Sequence, residues 1–316
     1  MPLAVLVILV AANACLITLL LRSQSQITAE PAGQLTVRST LPTQPGPTSP
    51  AQGESPSVSP VPPSSPTPPI DQKVAVPTRL LVATSATSAW RATVGDCKTQ
   101  GKVEWSTNGG KSWKQPLKAA QGPIVQLGVE SNGNLYTVGG AGEGCSMRYI
   151  TYSKKGVIAG QTDKPLGIWS RDPKDPDQIL GPALARATPC KGEHVVGLAS
   201  LSTSEALLVC TGGSVMVTFN SGKSWKKADE LVGTMAVGAG GGRYWVAGAD
   251  KNCHGLSVRS FIFTKGDLSR GESSCAAGLP VTPGLIAISA SGQAIWLWDG
   301  NEVNVSSDRG NTWQAP

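Results

Sequence analysis

The feature that most constrains the fold of this chain is an eight-residue pattern that occurs three times. The copies read STNGGKSW at 106–113, TFNSGKSW at 218–225 and SSDRGNTW at 306–313. Asn or Asp accepts hydrogen bonds from turn amides, Gly supplies a positive φ, and Trp buries a large apolar face as the next strand begins. We therefore predict that each copy is the same turn between two β-strands, built on Asn108, Gly110, Trp113, Asn220, Gly222, Trp225, Asp308, Gly310 and Trp313.

The Gly-Lys-Ser within two of the copies also suggests a nucleotide-binding loop, but the surrounding residues exclude it. A P-loop needs another Gly five residues before this Gly, and a helix directly after it. The positions in question hold Trp105 and Val217, and in the third copy Asn311 replaces the Lys. No helical pattern follows any copy, so the motif does not predict nucleotide binding.

The region from residue 79 to the end contains short β-type runs instead of helical periodicity. Runs such as LYTVGG at 135–140 and AIWLWDG at 294–300 are rich in β-branched and aromatic residues and end in Gly, Asn, Asp or Ser. This alternation of short strands and turns is typical of an all-β sandwich, barrel or propeller.

The repeated pattern resembles the Asp-box, or bacterial neuraminidase repeat, S-x-D-x-G-x-T-W. In sialidases, sortilin-type receptors and photosystem II assembly factors this repeat marks the turn between the third and fourth strands of β-propeller blades. RDPKDPDQIL at 171–180 also resembles the DPxDPNxxY segment that leads into blades of sortilin-like and assembly-factor-like propellers. The resemblance covers repeat units across residues 79–316. It implies an all-β propeller of about six four-stranded blades, within a range of roughly five to seven.

The spacing of the repeats is consistent with blades of about 40–50 residues. Trp113 and Trp225 are 112 residues apart, and Trp225 and Trp313 are 88 apart, so each interval holds at least one blade without a clear copy. Degenerate copies are expected at 152–160 and 263–271, and a strand at 79–83 is a candidate to complete the last blade. The predicted blades lie near residues 79–118, 120–165, 166–192, 193–229, 230–275 and 280–316.

The N-terminal 78 residues divide into two segments of different composition. Residues 3–21 are almost entirely apolar, which as a helix matches the roughly 30 Å core of a bilayer, so residues 1–22 are predicted to be a membrane anchor. A cleaved signal peptide and a lipoprotein acylated at Cys15 are the alternatives. Residues 23–78 hold 13 of the 24 prolines and are predicted to be a disordered linker before the domain at 79–316.

Six cysteines follow the apolar segment, and none forms a metal-binding Cys-x-x-Cys pair. An even number without metal-ligand spacing favours disulfides, which persist in oxidising compartments. Local pairing favours Cys97–Cys145, Cys190–Cys210 and Cys253–Cys275, one of fifteen connectivities; six buried free thiols in a cytosolic protein is the alternative. We therefore expect a single-pass protein of the cell membrane with its domain on the extracytoplasmic side.

Neither charge nor motifs identify a ligand. Residues 79–316 contain 24 Lys and Arg against 18 Asp and Glu with no basic run, so nucleic acid is not an expected partner. His194 and His254 lie beside cysteines that the disulfide pattern already uses, so no metal or other cofactor is expected. The arginine motif of sialidases is absent, and spacing does not pair the candidate glycosidase carboxylates Asp163, Asp172, Asp175, Asp177, Glu193 and Asp250.

The sequence thus predicts a non-enzymatic module, with no catalytic residues, that binds or assembles a membrane or extracytoplasmic protein. The alternative is a carbohydrate-binding propeller or a divergent, sialidase-like glycoside hydrolase, with cell-wall glycan as its partner.

Overall fold

The computed structural model describes residues 75–116, 122–130, 132–163, 167–264 and 266–316. The predicted membrane anchor at 1–22 and residues 23–74 of the predicted linker lie outside this part of the chain. The described residues are all-β, as the sequence predicts. They include no helix with the length and apolar composition needed to cross a membrane.

The strands form six antiparallel sheets, each built from strands that follow one another in the chain. The first two sheets contain β1 (Arg79–Ala83), β2 (Ala89–Thr93) and β3 (Lys102–Ser106), then β4 (Ile124–Val129), β5 (Leu135–Ala141), β6 (Ser146–Tyr152) and β7 (Ile158–Thr162). The third contains only the short strands β8 (Ser170–Arg171), β9 (Ile179–Leu180) and β10 (Arg186–Ala187).

The remaining three sheets have strands of five or more residues. The fourth contains β11 (Val195–Ser200), β12 (Ala206–Cys210), β13 (Ser214–Thr218) and β14 (Lys226–Glu230). The fifth contains β15 (Thr234–Gly240), β16 (Arg243–Asp250), β17 (Cys253–Thr264) and β18 (Asp267–Ala277). The sixth contains β19 (Ile286–Ser291), β20 (Ala294–Asp299) and β21 (Glu302–Ser306).

The six sheets are the blades of a β-propeller. The first strand of each sheet lines one central cavity, and β1 packs against both β19 and β4, which closes the ring. Three blades contain three strands instead of the expected four. In blades one and six, single bridges at Lys114 and Gln314 mark the position of the fourth strand.

The hydrophobic core is divided among the interfaces between blades. Five clusters of buried side chains join blade one to two, three to four, four to five, five to six, and six to one. Among the described residues, no such cluster joins blades two and three. Blade three is also the blade with two-residue strands, so this sector of the ring has the least apolar packing.

The ring closes between its first and last blades without exchange of a strand. The prediction that residues 79–83 complete the last blade is wrong, because β1 pairs with β2 along its whole length. Closure instead uses contacts across the interface: the Thr78 amide donates to the Gly284 carbonyl oxygen (2.8 Å), and the Trp296 indole donates to the Ser85 carbonyl oxygen (3.0 Å). The Arg91 guanidinium lies over Trp298, 4.7 Å from the ring centroid.

Blade six also buries a carboxylate, Asp299, which is 3% exposed at the end of β20. Burial is the main cause that raises its pKa to about 6, and the charge of Glu302 adds to the rise. The Thr282 hydroxyl lowers this pKa, although neither carboxylate oxygen has a hydrogen bond of good geometry. A carboxyl group in this setting favours the folded state only while it is protonated.

Asp299→Asn is expected to raise the free energy of unfolding by about 2 kcal/mol near pH 7.5 and to change it little near pH 4. The folded pKa of Asp299 lies above the unfolded value. The protonated carboxyl therefore favours folding fully below about pH 4, and this contribution is lost as the pH rises through about 6. Urea unfolding from about pH 4 to pH 8 measures the effect, with Glu143→Gln, an exposed carboxylate between β5 and β6, as the control. If the free energy of unfolding depended on pH in the same way for Asp299→Asn and the wild type, this expectation would be wrong.

Candidate functional site

The channel through the ring has two chemically different ends. Loops that follow the inner strands, such as 84–88 and 201–205, lie at one end together with the repeated turns, and we call this end the turn face. Each repeated turn donates a backbone N–H to such a loop of its own blade, from Gly109, Ser221 and Arg309 to the carbonyl oxygens of Thr87, Ser204 and Gln293. The opposite end, where the inner strands begin, is the start face.

The repeated turns share one hydrogen-bond pattern. In the first copy the Ser106 hydroxyl donates to the Asn108 side-chain oxygen (2.9 Å) and accepts from the Gly110 amide (3.0 Å). The Asn108 oxygen also accepts from the Ser112 amide (3.1 Å). Asn220 makes the equivalent contacts in the second copy. Each copy therefore connects the third strand of its blade to the start of the fourth-strand position.

The Asp form of the turn adds a charge to the same pattern. Asp308 accepts from the Thr312 amide (2.9 Å), the Thr312 hydroxyl (2.7 Å) and the Ser306 hydroxyl (2.7 Å). These hydrogen bonds, led by that of the Thr312 amide, lower the pKa of Asp308 to about 2. Because its oxygens are engaged inside the turn, Asp308 is a structural residue here.

The glycines and tryptophans of the pattern also have structural positions. Gly110, Gly222 and Gly310 have φ angles of +93°, +84° and +93°. The tryptophans are partly buried against their own turns or neighbouring blades: Trp113 packs edge-on against Trp296, Trp225 packs edge-on against Trp169, and the Trp313 indole donates to the Gly310 carbonyl oxygen. The two expected degenerate copies, at 152–160 and 263–271, likewise connect the third and fourth strands of blades two and five.

The propeller has a central cavity of about 1360 Å³. Blades five and six meet almost backbone to backbone, because a Cβ atom at Gly238 would overlap the Ile288 carbonyl oxygen. The Ser289 hydroxyl joins the neighbouring inner strands by accepting from the Ala83 amide (3.0 Å) and donating to the Ala239 carbonyl oxygen (3.3 Å). The residues that line the cavity include Trp90 and Trp105 of blade one and Tyr136 and Tyr149 of blade two, so the cavity extends laterally between these two blades.

Aromatic side chains line this extension between blades one and two. The Tyr136 ring covers Gly128 of β4, at a place where a Cβ atom would overlap the ring, and it stacks on Tyr149 with centroids 5.3 Å apart. The Tyr149 hydroxyl donates to Glu130 (2.7 Å). Burial, with a smaller effect of the Glu130 charge, raises the pKa of Tyr136 to about 12. The two hydroxyls therefore stay protonated at neutral pH.

The four tyrosines of the chain lie in two different environments. Tyr152 and Tyr244 are fully buried, whereas Tyr136 and Tyr149 line the cavity. Gly128, which faces Tyr136 across the β4–β5 pair, is the signal in the sequence that an aromatic ring needs space there. That pairing depends on the register of the two strands, which spacing along the chain does not define.

Four of the six exposed large aliphatic side chains of the described residues lie on the turn face. Val129 and Leu201 follow the ends of β4 and β11 and line the cavity, and they are 36% and 38% exposed. Val157 (47%) lies in the turn between β6 and β7, and Leu184 (43%) lies at the tip of the β9–β10 hairpin with a φ of +59°. Gly181 of that hairpin packs against Ser221 of the second repeated turn, which places Leu184 on the turn face.

The candidate carboxylates of blade three lie on the start face and have structural partners. Asp177 accepts from the Val195 amide (2.8 Å) and lies 2.7 Å from the Nδ1 of His194. Trp169, before β8, donates to the Ser202 carbonyl oxygen at the other end of β11 (2.9 Å). Hence β8 runs opposite to β11, and the loop with Asp172 and Asp175 belongs to the start face.

The other candidate carboxylates are equally separated from the cavity. Glu193 accepts from the Gly212 amide (2.8 Å), Asp250 pairs with Arg259, and Asp163 is exposed after β7. None of the six candidates lines the cavity. Within the described part of the chain, no group of three or more His, Cys, Asp or Glu side chains is arranged to hold a metal ion.

Three disulfides lie toward the start face, and they have the connectivity that local pairing favours. Cys97–Cys145 joins the β2–β3 loop of blade one to the β5–β6 loop of blade two. Cys190–Cys210 connects the segment after blade three to β12 of blade four, and Cys253–Cys275 joins β17 to β18 within blade five. Two of the three bonds therefore connect different blades.

No protein-family model matches the chain, and neither does any curated protein. Among solved structures, the chain is similar to the β-propeller domain of Cps50 (Swd1) from Myceliophteria thermophila, with 13% identity over 76% of this chain and 86% of that chain and a TM-score of 0.44. It is also similar to YCF48 from Cyanidioschyzon merolae (17% identity, 59% and 67% covered, TM-score 0.33) and to the GH74 xyloglucanase from Xanthomonas campestris (14%, 75% and 38%, TM-score 0.30). Similarity at this level does not extend to ligands or activities.

Proposed function

We propose that this chain is a non-enzymatic, membrane-tethered module that binds a protein partner at the turn face of an Asp-box β-propeller. The observation that carries the proposal is the turn face: Val129 and Leu201 are exposed aliphatic side chains at the open mouth of the cavity, and Val157 and Leu184 are exposed on the same face. Exposed apolar residues around a concave, partly aromatic surface are typical of sites that bind proteins or peptides.

The conformation of Leu184 adds support to this assignment of the surface. An exposed leucine at positive φ is costly for the isolated protein, and strained residues of this kind cluster at functional sites. None of the six candidate glycosidase carboxylates lines the cavity, and Glu130, which does, has no second carboxylate beside it among the residues that line the cavity. This arrangement supports binding over hydrolysis.

The Asp-box assignment is supported by the shared hydrogen bonds of the three turns, and the extracytoplasmic location is supported by the three disulfides. The apolar composition of residues 3–21 supports the tether. The proposed partner is accordingly another membrane protein or a protein of the extracytoplasmic space.

Leu201→Asp and Leu184→Asp are each expected to reduce partner recovery at least tenfold, because a charge buried in an apolar contact costs about 1.4 kcal/mol or more. The measurement is crosslinking of the tagged full-length protein in its own membrane, followed by quantitative mass spectrometry. Val232→Asp is the matched control, since Val232 is an exposed aliphatic residue (61%) on the start face. Equal losses for all three variants, or no loss for either leucine variant, would contradict the proposal.

A second candidate, glycan binding, is favoured by one feature of the cavity. The stacked Tyr136 and Tyr149 beside Glu130 combine aromatic faces with a polar group, a combination that suits sugar rings as well as peptides. Recovery of glycan fragments instead of protein in the same experiment, with loss in Tyr149→Ala, would place this function first. A hydrolysis screen would then separate a lectin from a glycoside hydrolase.

A further inference from the structure

We propose that the Cys97–Cys145 disulfide is a redox-sensitive clamp that holds blades one and two together and thereby sets the width of the cavity between them. The proposal concerns the mechanics of the ring and stands independently of which ligand the cavity takes. It rests on three observations: the contacts beside the disulfide, the packing of the neighbouring sector, and the exposure of Cys97.

The disulfide lies beside the main-chain contacts that join the two blades on the start face. The Gly101 amide donates to the Gly122 carbonyl oxygen (2.9 Å), and the Ile124 amide donates to the Val94 carbonyl oxygen (2.7 Å). Cys97 lies between Val94 and Gly101 in the β2–β3 loop, so the bond to Cys145 fastens this loop to blade two. Releasing the bond leaves these two hydrogen bonds as the polar contacts between the loop and blade two.

Blades two and three, which lie next to the clamp, have little buried side-chain contact with each other. No cluster of buried side chains joins blades two and three in the described residues, whereas blades five and six meet almost backbone to backbone at Gly238. Blade three approaches the clamp through the Pro173 carbonyl oxygen, which lies 3.9 Å from each of the two sulfur atoms. The disulfide is thus the point at which blades one, two and three meet on the start face.

The two cysteine residues differ in their exposure to solvent. Cys97 is exposed, whereas Cys145 is 4% exposed, and both members of Cys190–Cys210 are buried at 7% and 2%. Cys275 of the third disulfide is also exposed, but that bond lies within blade five and joins no two blades. Thiol–disulfide exchange depends on access to the attacked sulfur. A dithiol thiolate attacks the Sγ of Cys97, the Cys97–Cys145 bond breaks, and Cys145 leaves as a thiolate that takes up a proton. The second thiol of the dithiol resolves the mixed disulfide, so two electrons reduce the protein and the dithiol becomes oxidised.

Opening the clamp affects the cavity through β4. Residues Val125 to Val129 of this strand line the cavity opposite β1, and its first amide, that of Ile124, is one of the two inter-blade hydrogen bonds. Once the β2–β3 loop is released, the start-face end of β4 can shift away from β1 against the packing of Ile124 and Leu127 on Trp90, and the cavity beside Tyr136 widens. Reduction of the Cys97–Cys145 disulfide thus changes the shape of the cavity.

Hydrogen exchange of the full-length chain in detergent, with and without dithiothreitol as the dithiol, tests the clamp. Alkylation and mass spectrometry establish which disulfide is reduced. Partial reduction is expected to open Cys97–Cys145 before Cys190–Cys210 and to speed exchange of peptides carrying the Gly101 and Ile124 amides at least tenfold, with β19 and β20 unchanged. The oxidised Cys97→Ser/Cys145→Ser variant reproduces the local increase, and the oxidised Cys253→Ser/Cys275→Ser variant does not.

Three results would overturn the clamp. One is reduction of Cys190–Cys210 before Cys97–Cys145. Another is faster exchange in β19 and β20 to the same degree as in β4, which would indicate global unfolding. The third is an unchanged exchange rate at Gly101 and Ile124 in protein whose Cys97 and Cys145 are fully alkylated.

Discussion

Replacing Trp296 with alanine is expected to lower the free energy of unfolding by about 4 kcal/mol, the usual cost of removing a large buried aromatic side chain. Trp296 is fully buried at the junction of the last and first blades. Its ring packs edge-on against Trp113 of blade one at 6.4 Å, and its indole N–H donates to the Ser85 carbonyl oxygen. Because no strand is exchanged at this junction, side-chain contacts such as these hold the ring closed.

Chemical unfolding of the full-length protein measures the loss, and two further variants separate closure from general packing. Trp296→Phe retains most of the apolar contact but loses the hydrogen bond, so about half of the effect is expected. Trp245→Ala removes an equally large buried ring from the interface between blades five and six. Only Trp296→Ala should speed hydrogen exchange of the Thr78 and Ala83 amides, which bond to blade six. Equal exchange in both alanine variants would mean that Trp296 has no special part in closure.

The parts of the fold that sequence predicts well are those encoded locally. The turn at 306–313 contains every donor and acceptor it needs, from the Ser306 hydroxyl to the Thr312 amide, so its type and position follow from its own residues. The pairing of Cys253 with Cys275 is local in the same sense, because the two residues lie on adjacent strands of one hairpin.

The parts that sequence does not predict depend on packing between distant segments. Nothing local indicates that β1 pairs with β2 instead of the last blade, because either partner satisfies the hydrogen bonds of its backbone. The reversed direction of β8 follows from the contacts of Trp169 and Asp177 with opposite ends of β11, more than fifteen residues away. The exposed aliphatic residues of the turn face are missed for the same reason: Leu184 and Leu201 share one face only once blades three and four are packed.

The two faces of the propeller therefore have different roles in the proposed function. The start face carries all three disulfides and the ion-paired loop of blade three, which are features that maintain structure. The turn face combines rigid turns with exposed aliphatic side chains and the open mouth of the cavity. A binding surface on rigid turns needs little ordering when the partner arrives, so more of the contact energy contributes to affinity.

Gly238→Ala is expected to destabilise the fold by about 3 kcal/mol or more, because the added Cβ atom would overlap the Ile288 carbonyl oxygen of the next blade. The clash is with backbone, so β15 and β19 must separate, and the hydrogen bond from the Ser289 hydroxyl to the Ala239 carbonyl oxygen, 3.3 Å in the wild type, would be lost. Chemical unfolding of the full-length protein measures the change.

Gly144→Ala is the matched control for this substitution. Gly144 does not have a positive φ, and the nearest atom to its added Cβ is the Ser146 hydroxyl oxygen at 3.7 Å, so the change in unfolding free energy should stay within about 0.5 kcal/mol. If Gly238→Ala were equally mild, the inner strands of blades five and six could separate at little cost. The cavity would then be able to widen between blades five and six as well as between blades one and two. The close contact between blades five and six would therefore not restrict where the cavity widens when the Cys97–Cys145 disulfide opens.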